Sequence, residues 1–184
     1  MSLLPEELDR DCWNKLASGA HAADAGFHFL TLASVDALGQ PQARTLVLRR
    51  VDCLTRTLEF HTDMRSPKWQ ALALNPQVTV LGYCNKTQLR LQGTITLHGA
   101  ESERAEAVWQ RLSPWTQQTY AGPTPGSDVD NERNAAGGGK GNFGVLLFQA
   151  SLLDWCRLAR ENNQRALLRY SASGSLASAQ WINP

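Results

Sequence analysis

At 184 residues the chain has the length of one domain, and its 42% hydrophobic and 19% charged residues describe an ordinary globular protein. Its 18 Lys and Arg against 17 Asp and Glu leave a formal charge of +1, which argues against a protein built to coat nucleic acid or an anionic membrane. No stretch reaches the apolar length of a membrane span and the opening residues lack a secretory apolar segment, so a cytoplasmic protein is expected.

Residues 5–19 predict an amphipathic helix, with Leu8, Cys12 and Leu16 on one face and Gly19 at its end. Strands are expected over 27–35, 42–51 and 58–62, the first closed by the turn Asp36-Ala37-Leu38-Gly39. Ser66-Pro67-Lys68 reads as a helix start, with Ser66 at the N-cap and Pro67 in the first helical position. That helix ends at Asn75-Pro76, because a residue before proline avoids the helical region. Strands over 77–83 and 88–97 follow. In the second, Leu89, Leu91, Ile95 and Leu97 share one face while Gln88, Arg90, Gln92, Thr94 and Thr96 share the other, the pattern of a half-buried antiparallel strand. A helix over 102–112 contains Trp109, and the Gly- and Pro-rich stretch 122–142 has the composition of a flexible loop or lid. Strands over 143–149, 152–158, 165–171 and 177–182 complete the chain. Many short strands with a few inserted helices predict a mainly β, α+β fold built on an antiparallel barrel. We read it as a single domain, 1–184, with its core in 27–100 and 143–184.

The densest polar chemistry lies between Arg44 and Gln88. In the strand Arg44-Thr45-Leu46-Val47-Leu48-Arg49-Arg50, Arg44, Leu46, Leu48 and Arg50 share one face and Thr45, Val47 and Arg49 the other. His61-Thr62-Asp63-Met64-Arg65-Ser66-Pro67-Lys68 then brings two cations and two hydroxyls to a helix N-terminus, where unpaired N–H groups and the helix dipole favour phosphate. Ser66 offers a hydroxyl, Lys68 a charge and Arg44 a planar guanidinium. The alternative is that Ser66 merely caps the helix while Arg65 and Lys68 face water.

Other chemistries find less support. Gly137-Gly138-Gly139-Lys140-Gly141 lacks the spacing of a phosphate-binding P-loop, since no Ser or Thr follows Lys140 and Gly141 is followed by Asn142. There is no GxSxG motif and no metal-ligand spacing among the scattered histidines. Cys12, Cys53, Cys84 and Cys156 form no CxxC pair and are expected to be reduced and mostly buried. Trp109, Trp115, Tyr120, Trp155 and Trp181 fit core packing or the cover of a planar cofactor better than base stacking.

Together these segments resemble the pyridoxamine 5′-phosphate oxidase-like FMN-binding split barrels. Residues 41–49 resemble the family's RxVxLR/K strand, and His61 to Lys68 its [YH]T-x4-S-x-K element. Gln88-Leu89-Arg90-Leu91-Gln92-Gly93 resembles its Q-[VL]-R-[VI]-x-G strand, the Trp155–Arg165 spacing another pair, and Trp181-Ile182-Asn183-Pro184 the closing strand. The resemblance implies a six-stranded antiparallel split β-barrel with flanking helices, a homodimer, and FMN at each dimer interface. Arg44, Ser66 and Lys68 would grip the FMN phosphate, with Arg65 compensating for a cation that Pro67 replaces. Thr45, Leu46, Val47, Leu48 and Arg49 would line the flavin, and His61 and Thr62 would sit beside the ribityl chain and phosphate. Gln88, Trp155 and Arg165 would reach the cofactor from the partner subunit's side.

The substrate is a different matter. In the vitamin B6 oxidases an Arg-Leu-His triplet precedes the C-terminal flavin arginine, whereas this chain has Glu161-Asn162-Asn163 there. A carboxylate and two amides do not replace a cationic phosphate clamp. The Thr62–Lys68 element matches instead the oxidase-related branch with a TDxRSxK sequence. The expected function is an FMN-dependent oxidoreductase of a small molecule, with Arg49 near the reacting face. The alternatives are a non-catalytic flavin-binding sensor, carrier or stress-response protein, or a true pyridoxamine/pyridoxine 5′-phosphate oxidase.

Overall fold

A computed structural model describes residues 4–129 and 138–184. Helix α1, Pro5–His21, begins with Pro5 at its first position, and the Glu7 carboxylate accepts a hydrogen bond from the Leu4 N–H. Its buried face carries Leu8, Asp9, Cys12, Trp13 and Leu16. The helix runs past the expected stop at Gly19. That glycine serves close approach instead: a Cβ there would lie 2.7 Å from the carbonyl carbon of Phe27. Phe27 itself is buried with φ +68°, so strand β1, Phe29–Val35, starts two residues later than expected.

The expected strand 42–51 is two strands, β2, Pro41–Val47, and β3, Arg50–Asp52. The break has a cause in hydrogen bonding. Leu48 N–H donates to His28 O (2.9 Å), continuing the β1 side, and Arg49 N–H donates to Glu59 O (2.9 Å) on β4, Thr57–Asp63. Helix α2, Pro67–Leu74, leads to strands β5, Gln77–Cys84, and β6, Thr87–His98. Helix α3, Glu103–Trp109, is shorter than expected, and a second short helix, α4, Pro114–Gln118, follows with its own Ser113 N-cap. After a 3₁₀ turn, Gly139–Asn142, strand β7, Phe143–Arg157, runs unbroken through both segments expected as separate strands. Strands β8, Gln164–Tyr170, and β9, Leu176–Ile182, form the final hairpin.

All pairings are antiparallel, in the order β2-β1-β5-β6-β7-β4-β3, with β8 and β9 added along the far half of β7. Because β2 and β3 are separated only by Leu48 and Arg49, the two ends of this order meet and the sheet curls into the split barrel. With β2 and β3 counted as one segment, its strands are the six expected. The β6–β7 register shifts at Gln92/Gly93, the kind of bulge that bends a strand, and a Cβ on Gly93 would lie 2.0 Å from Gln149 O. Leu30, Leu32, Phe60, Leu91, Phe148 and Leu153 fill the interior, each buried side chain contributing about 1.5–3 kcal/mol. The four cysteines are free thiols; only Cys12 is buried, and burial pushes its thiol up to about 12, while the other three are half-buried rather than in the core. Among the described residues no helix is long and apolar enough to cross a membrane.

Helix α1 is fixed to the barrel by a polar knot. Trp13 Nε1 donates to Tyr170 Oη (3.0 Å), Tyr170 Oη donates to Asp9 Oδ1 (2.7 Å), and Arg56 pairs with the other Asp9 oxygen while lying over the Trp13 and Tyr170 rings. Removing the carboxylate strands a mostly buried guanidinium. Asp9→Ala is therefore expected to destabilise the protein by about 3–5 kcal/mol, and Tyr170→Phe by about 1–2 kcal/mol. Urea unfolding of the three proteins checks the order; equal losses would contradict the charge argument.

Candidate functional site

Ser66 occupies the N-cap position of α2 but does not cap it. The N-cap serines of α3 and α4 accept bonds from Ala105 and Thr116 N–H, whereas Ser66 Oγ donates to Asp63 O (2.6 Å). The Ser66 hydroxyl is thus left to accept from Lys68 Nζ (3.2 Å), which also donates to Thr62 Oγ1 (2.9 Å). Arg44 enters from β2, its Nη1 donating to Ser34 Oγ (2.6 Å) and Leu32 O (3.3 Å). Arg44 pairs with Leu32 in register and so shares the inward face of the barrel, as does Thr62 on β4. Among the described residues neither Arg44 nor Lys68 forms an ion pair. Burial, then the charge of Arg44, lowers the Lys68 pKa from the usual lysine value, against an opposing pull from Asp63; burial lowers Arg44 too. Two partly buried like charges resting on hydroxyls and a carbonyl make a site suited to an anion.

Arg65 does not join them. Its Nε and Nη2 bond Asp63 (3.1 and 2.7 Å), and Nη2 reaches the carbonyls of Gly122 (3.0 Å) and Tyr120 (3.4 Å). This guanidinium anchors the start of the 122–142 loop. The other end of the loop is held by Asn142, which donates to Tyr120 O and accepts from Met64 N–H. Both ends of the loop expected over 122–142 are therefore tied down; residues 130–137, Gly137 included, lie outside the described residues.

The neighbours His61 and Thr62 point to opposite sides of β4. His61 lies on the outer face under α3, edge-on to Phe143 with ring centroids 5.2 Å apart. Its Nε2 lies 3.3 Å from Glu59 Oε1, and Nδ1 is buried without a partner. Arg104 Nη1 donates to the other Glu59 oxygen (3.0 Å). Burial raises the Glu59 pKa, but the bonds from His61 and Arg104 outweigh it and hold the carboxyl below the usual range. Sequence reasoning missed Glu59 and Arg104; a glutamate inside the apolar Leu58–Phe60 stretch is the signal that marked the first.

Along residues 44–49 the alternation holds. Leu48 is fully buried and Leu46 half-buried, so Leu48 can offer a ligand no side chain; Thr45, Val47 and Arg49 face outward. Arg49 is exposed, and its charge opposes the burial that raises the Tyr120 phenol.

The remaining candidates stand on the far half of β7. Gln88, Cys156 and Arg165 are register partners on the outer face, and Arg90, Asp154 and Leu167 form the next row. Arg165 holds Asp154 through Nε (2.9 Å) and Nη2 (2.8 Å), and Arg90 pairs with the same carboxylate. Trp155 belongs to the other face. It is 6% exposed, pairs with buried Leu89, and packs edge-to-face on Trp181 at 5.9 Å. Trp155 thus lies on the opposite face of the sheet from Gln88 and Arg165, because adjacent strand residues point to opposite faces. Asp154 and Arg90 were not among the expected site residues, although an aspartate in the run Leu152-Leu153-Asp154-Trp155 is conspicuous.

The two groups of residues are far apart. Thr62 pairs with Gly144 and Gln88 with Cys156, near opposite ends of β7. At ~3.3 Å per residue this is roughly 40 Å of strand before curl and bulge shorten it.

Comparison with known proteins agrees with this geometry. Residues 10–99 match the model of the pyridoxamine 5′-phosphate oxidase FMN-binding domain. Pyridoxine/pyridoxamine 5′-phosphate oxidase 2 of Arabidopsis thaliana is 26% identical over 181 residues, 89% of this chain and 90% of that protein. The pyridoxine/pyridoxamine 5′-phosphate oxidase of Paraburkholderia xenovorans is 36% identical over 111 residues, which cover 57% of this chain and only half of that relative. A pyridoxamine 5′-phosphate oxidase-related, FMN-binding protein of Nostoc punctiforme superposes over the full length of both chains, with a TM-score of 0.73 and 27% identity. PhzG of Burkholderia lata shares the fold at a TM-score of 0.75 and 16% identity, over the whole of this chain and 98% of that one. The match to an FMN-binding domain model, the relatives along nearly the whole chain and the split barrel itself agree: the chain belongs to the pyridoxamine 5′-phosphate oxidase-like family of FMN-binding split barrels.

Proposed function

We propose that this chain is an FMN-dependent oxidoreductase acting on a small molecule, assembled as a homodimer whose two sites each draw on both subunits. The observation that carries the cofactor assignment is the Arg44–Lys68 pair, two adjacent cations with hydroxyl partners and no ion-pair partner among the described residues. Arg44, Thr62, Ser66 and Lys68 would hold the FMN phosphate, and Thr45, Val47 and Arg49 would face the flavin from the outer side of β2. Bound FMN supplies the hydride-accepting chemistry. Exposed Arg49 is the cation we assign to the electron-rich part of the reduced cofactor.

The separation along β7 supports a second subunit as the source of Gln88 and Arg165. The outer face of β1, β5 and β6 supports it too, since Phe29 and Tyr83 lie there uncovered, each 60% exposed, beside half-buried Leu81. A large exposed apolar surface on a sheet is characteristic of an interaction face. For the substrate, phosphorylated B6 vitamers are the first compounds to assay, given the names of the relatives. The connection between β7 and β8 argues against them. Glu161 and Asn162 are exposed there, and Asn163 Oδ1 is engaged by Ala159 N–H (2.8 Å), which leaves no cationic triplet.

Lys68→Met separates stability from binding. FMN affinity, read by quenching of flavin fluorescence, is expected to fall about tenfold to hundredfold, the range of a charge-assisted hydrogen bond. The apoprotein should melt no lower than wild type. Between the lowered folded pKa of Lys68 and its ordinary value the unfolded chain holds more protons, so wild-type apoprotein should gain stability as pH rises through that alkaline window. The gain should vanish in Lys68→Met. Unchanged FMN affinity in both Lys68→Met and Arg44→Ala would refute the phosphate assignment.

Subunit mixing checks the two-subunit site. A heterodimer of one Lys68→Met chain and one Arg165→Ala chain places both lesions in one site and leaves the other intact. It is expected to bind one FMN per dimer at wild-type affinity. If each site lay within a single chain, the heterodimer would bind none at that affinity.

A further inference from the structure

Asp154 is a buried carboxylate with two arginines. Its side chain is 2% exposed in an otherwise apolar strand segment, and Oδ2 accepts from Nη2 of both Arg90 and Arg165, while Oδ1 accepts from Arg165 Nε. Sharing one oxygen sets the two guanidiniums side by side. One arginine, bound bidentate as Arg165 is, already neutralises the buried charge. The second leaves the unit with a net positive charge on an outward sheet face.

The donors on that face are not used up. The side chains of Arg90 and Arg165 are 40% and 31% exposed, and neither commits its Nη1 to Asp154. Unused donors on two immobilised guanidiniums form a clamp for electron-rich oxygen or nitrogen atoms. Under the function proposed above, on which this inference rests, the FMN phosphate is already held by Arg44 and Lys68 of one subunit. The cations of the other subunit must then meet a different part of the cofactor.

We propose that Arg90 and Arg165 together clamp the heteroatom edge of the flavin ring from the second subunit, and that Asp154 is the positioning residue that holds the two guanidiniums in register. Arg90 thereby becomes a cofactor-binding residue and Asp154 acts only through the arginines.

Riboflavin, which has the ring and no phosphate, is the probe that separates ring contacts from phosphate contacts. Affinities for riboflavin and FMN are measured by fluorescence quenching, together with the absorption spectrum of the bound flavin. Arg90→Met is expected to weaken both ligands by the same factor, about tenfold or more, whereas Lys68→Met weakens FMN alone. Asp154→Asn should weaken both ligands and move the long-wavelength flavin band towards that of free flavin. Added to Arg90→Met/Arg165→Met, it should change neither affinity nor band, the non-additivity of residues that act as one unit. An equal loss from Asp154→Asn in both backgrounds would reduce Asp154 to a structural ion and overturn the positioning role. Unchanged riboflavin and FMN affinity in Arg90→Met overturns the clamp, and this variant keeps the test open if Asp154→Asn fails to fold, because Arg165 still neutralises the carboxylate. If Lys68→Met also binds FMN normally, the fault lies in the cofactor reading itself; if it does not, only the clamp is lost.

Discussion

Between Leu48 and Arg49 the backbone changes partners, and both the barrel and its candidate site depend on that step. One peptide N–H looks back to His28 beside β1 and the next looks across to Glu59 on β4. A regular strand through both positions would extend the sheet along one edge. The exchange instead joins the two ends of the strand order. Strand alternation continues through the step, so Arg44 lies on the inward face near Thr62 and Lys68 while Arg49 emerges on the outer side near Tyr120. The same few residues that close the fold thus divide a cation for the inner cluster from a cation for the outer face.

Charge compensation distinguishes the anion cluster from everything around it. Asp9 is matched by Arg56, Glu59 by Arg104, Asp63 by Arg65, and Asp154 by two arginines. These pairs follow the rule that a buried charge keeps a partner. Among the described residues Arg44 and Lys68 lack such a partner together, at one place, and burial followed by the charge of Arg44 pushes Lys68 away from its charged state. Two like charges held together on hydroxyl and carbonyl partners are preorganised for an anionic ligand.

The periodic parts of the structure were legible in the sequence and the non-local parts were not. The alternation of Leu89, Leu91 and Ile95 fixed the inward face of β6, and Ser66-Pro67 with Asn75-Pro76 bracketed α2 within a residue. Local patterns carry this information because they report the 2.0 and 3.6 periods directly. The break in the 42–51 strand was hidden, since it depends on which strands flank Leu48 and Arg49 in space. β7 was read as two strands because Ala150 and Ser151 interrupt its apolar run, yet Gly93 on β6 absorbs the irregularity and the strand continues. In the site, the Arg44–Ser66–Lys68 grouping followed from residue types and a helix start. The acids that organise the other cations, Asp63 beside Arg65 and Asp154 beside Arg165, came from the fold, and so did the assignment of Trp155 to the core.

The knot between α1 and β8 has a consequence for how the chain reaches its native state. Asp9 and Tyr170 are separated by 161 positions, and β4 pairs with β7 across everything from Met64 to Asn142. The β1–β2, β5–β6 and β8–β9 hairpins close short loops and can form early, whereas these long-range contacts require large loops to be ordered first. On the ribosome, α1 emerges with its apolar face of Leu8, Trp13 and Leu16, and its docking, begun against the β3–β4 segment through Arg56, is completed only when the final hairpin brings Tyr170 to Trp13 and Asp9. The earliest helix of the chain is therefore among the last to be secured, and the interval between the two events is when this protein most needs shielding from its neighbours.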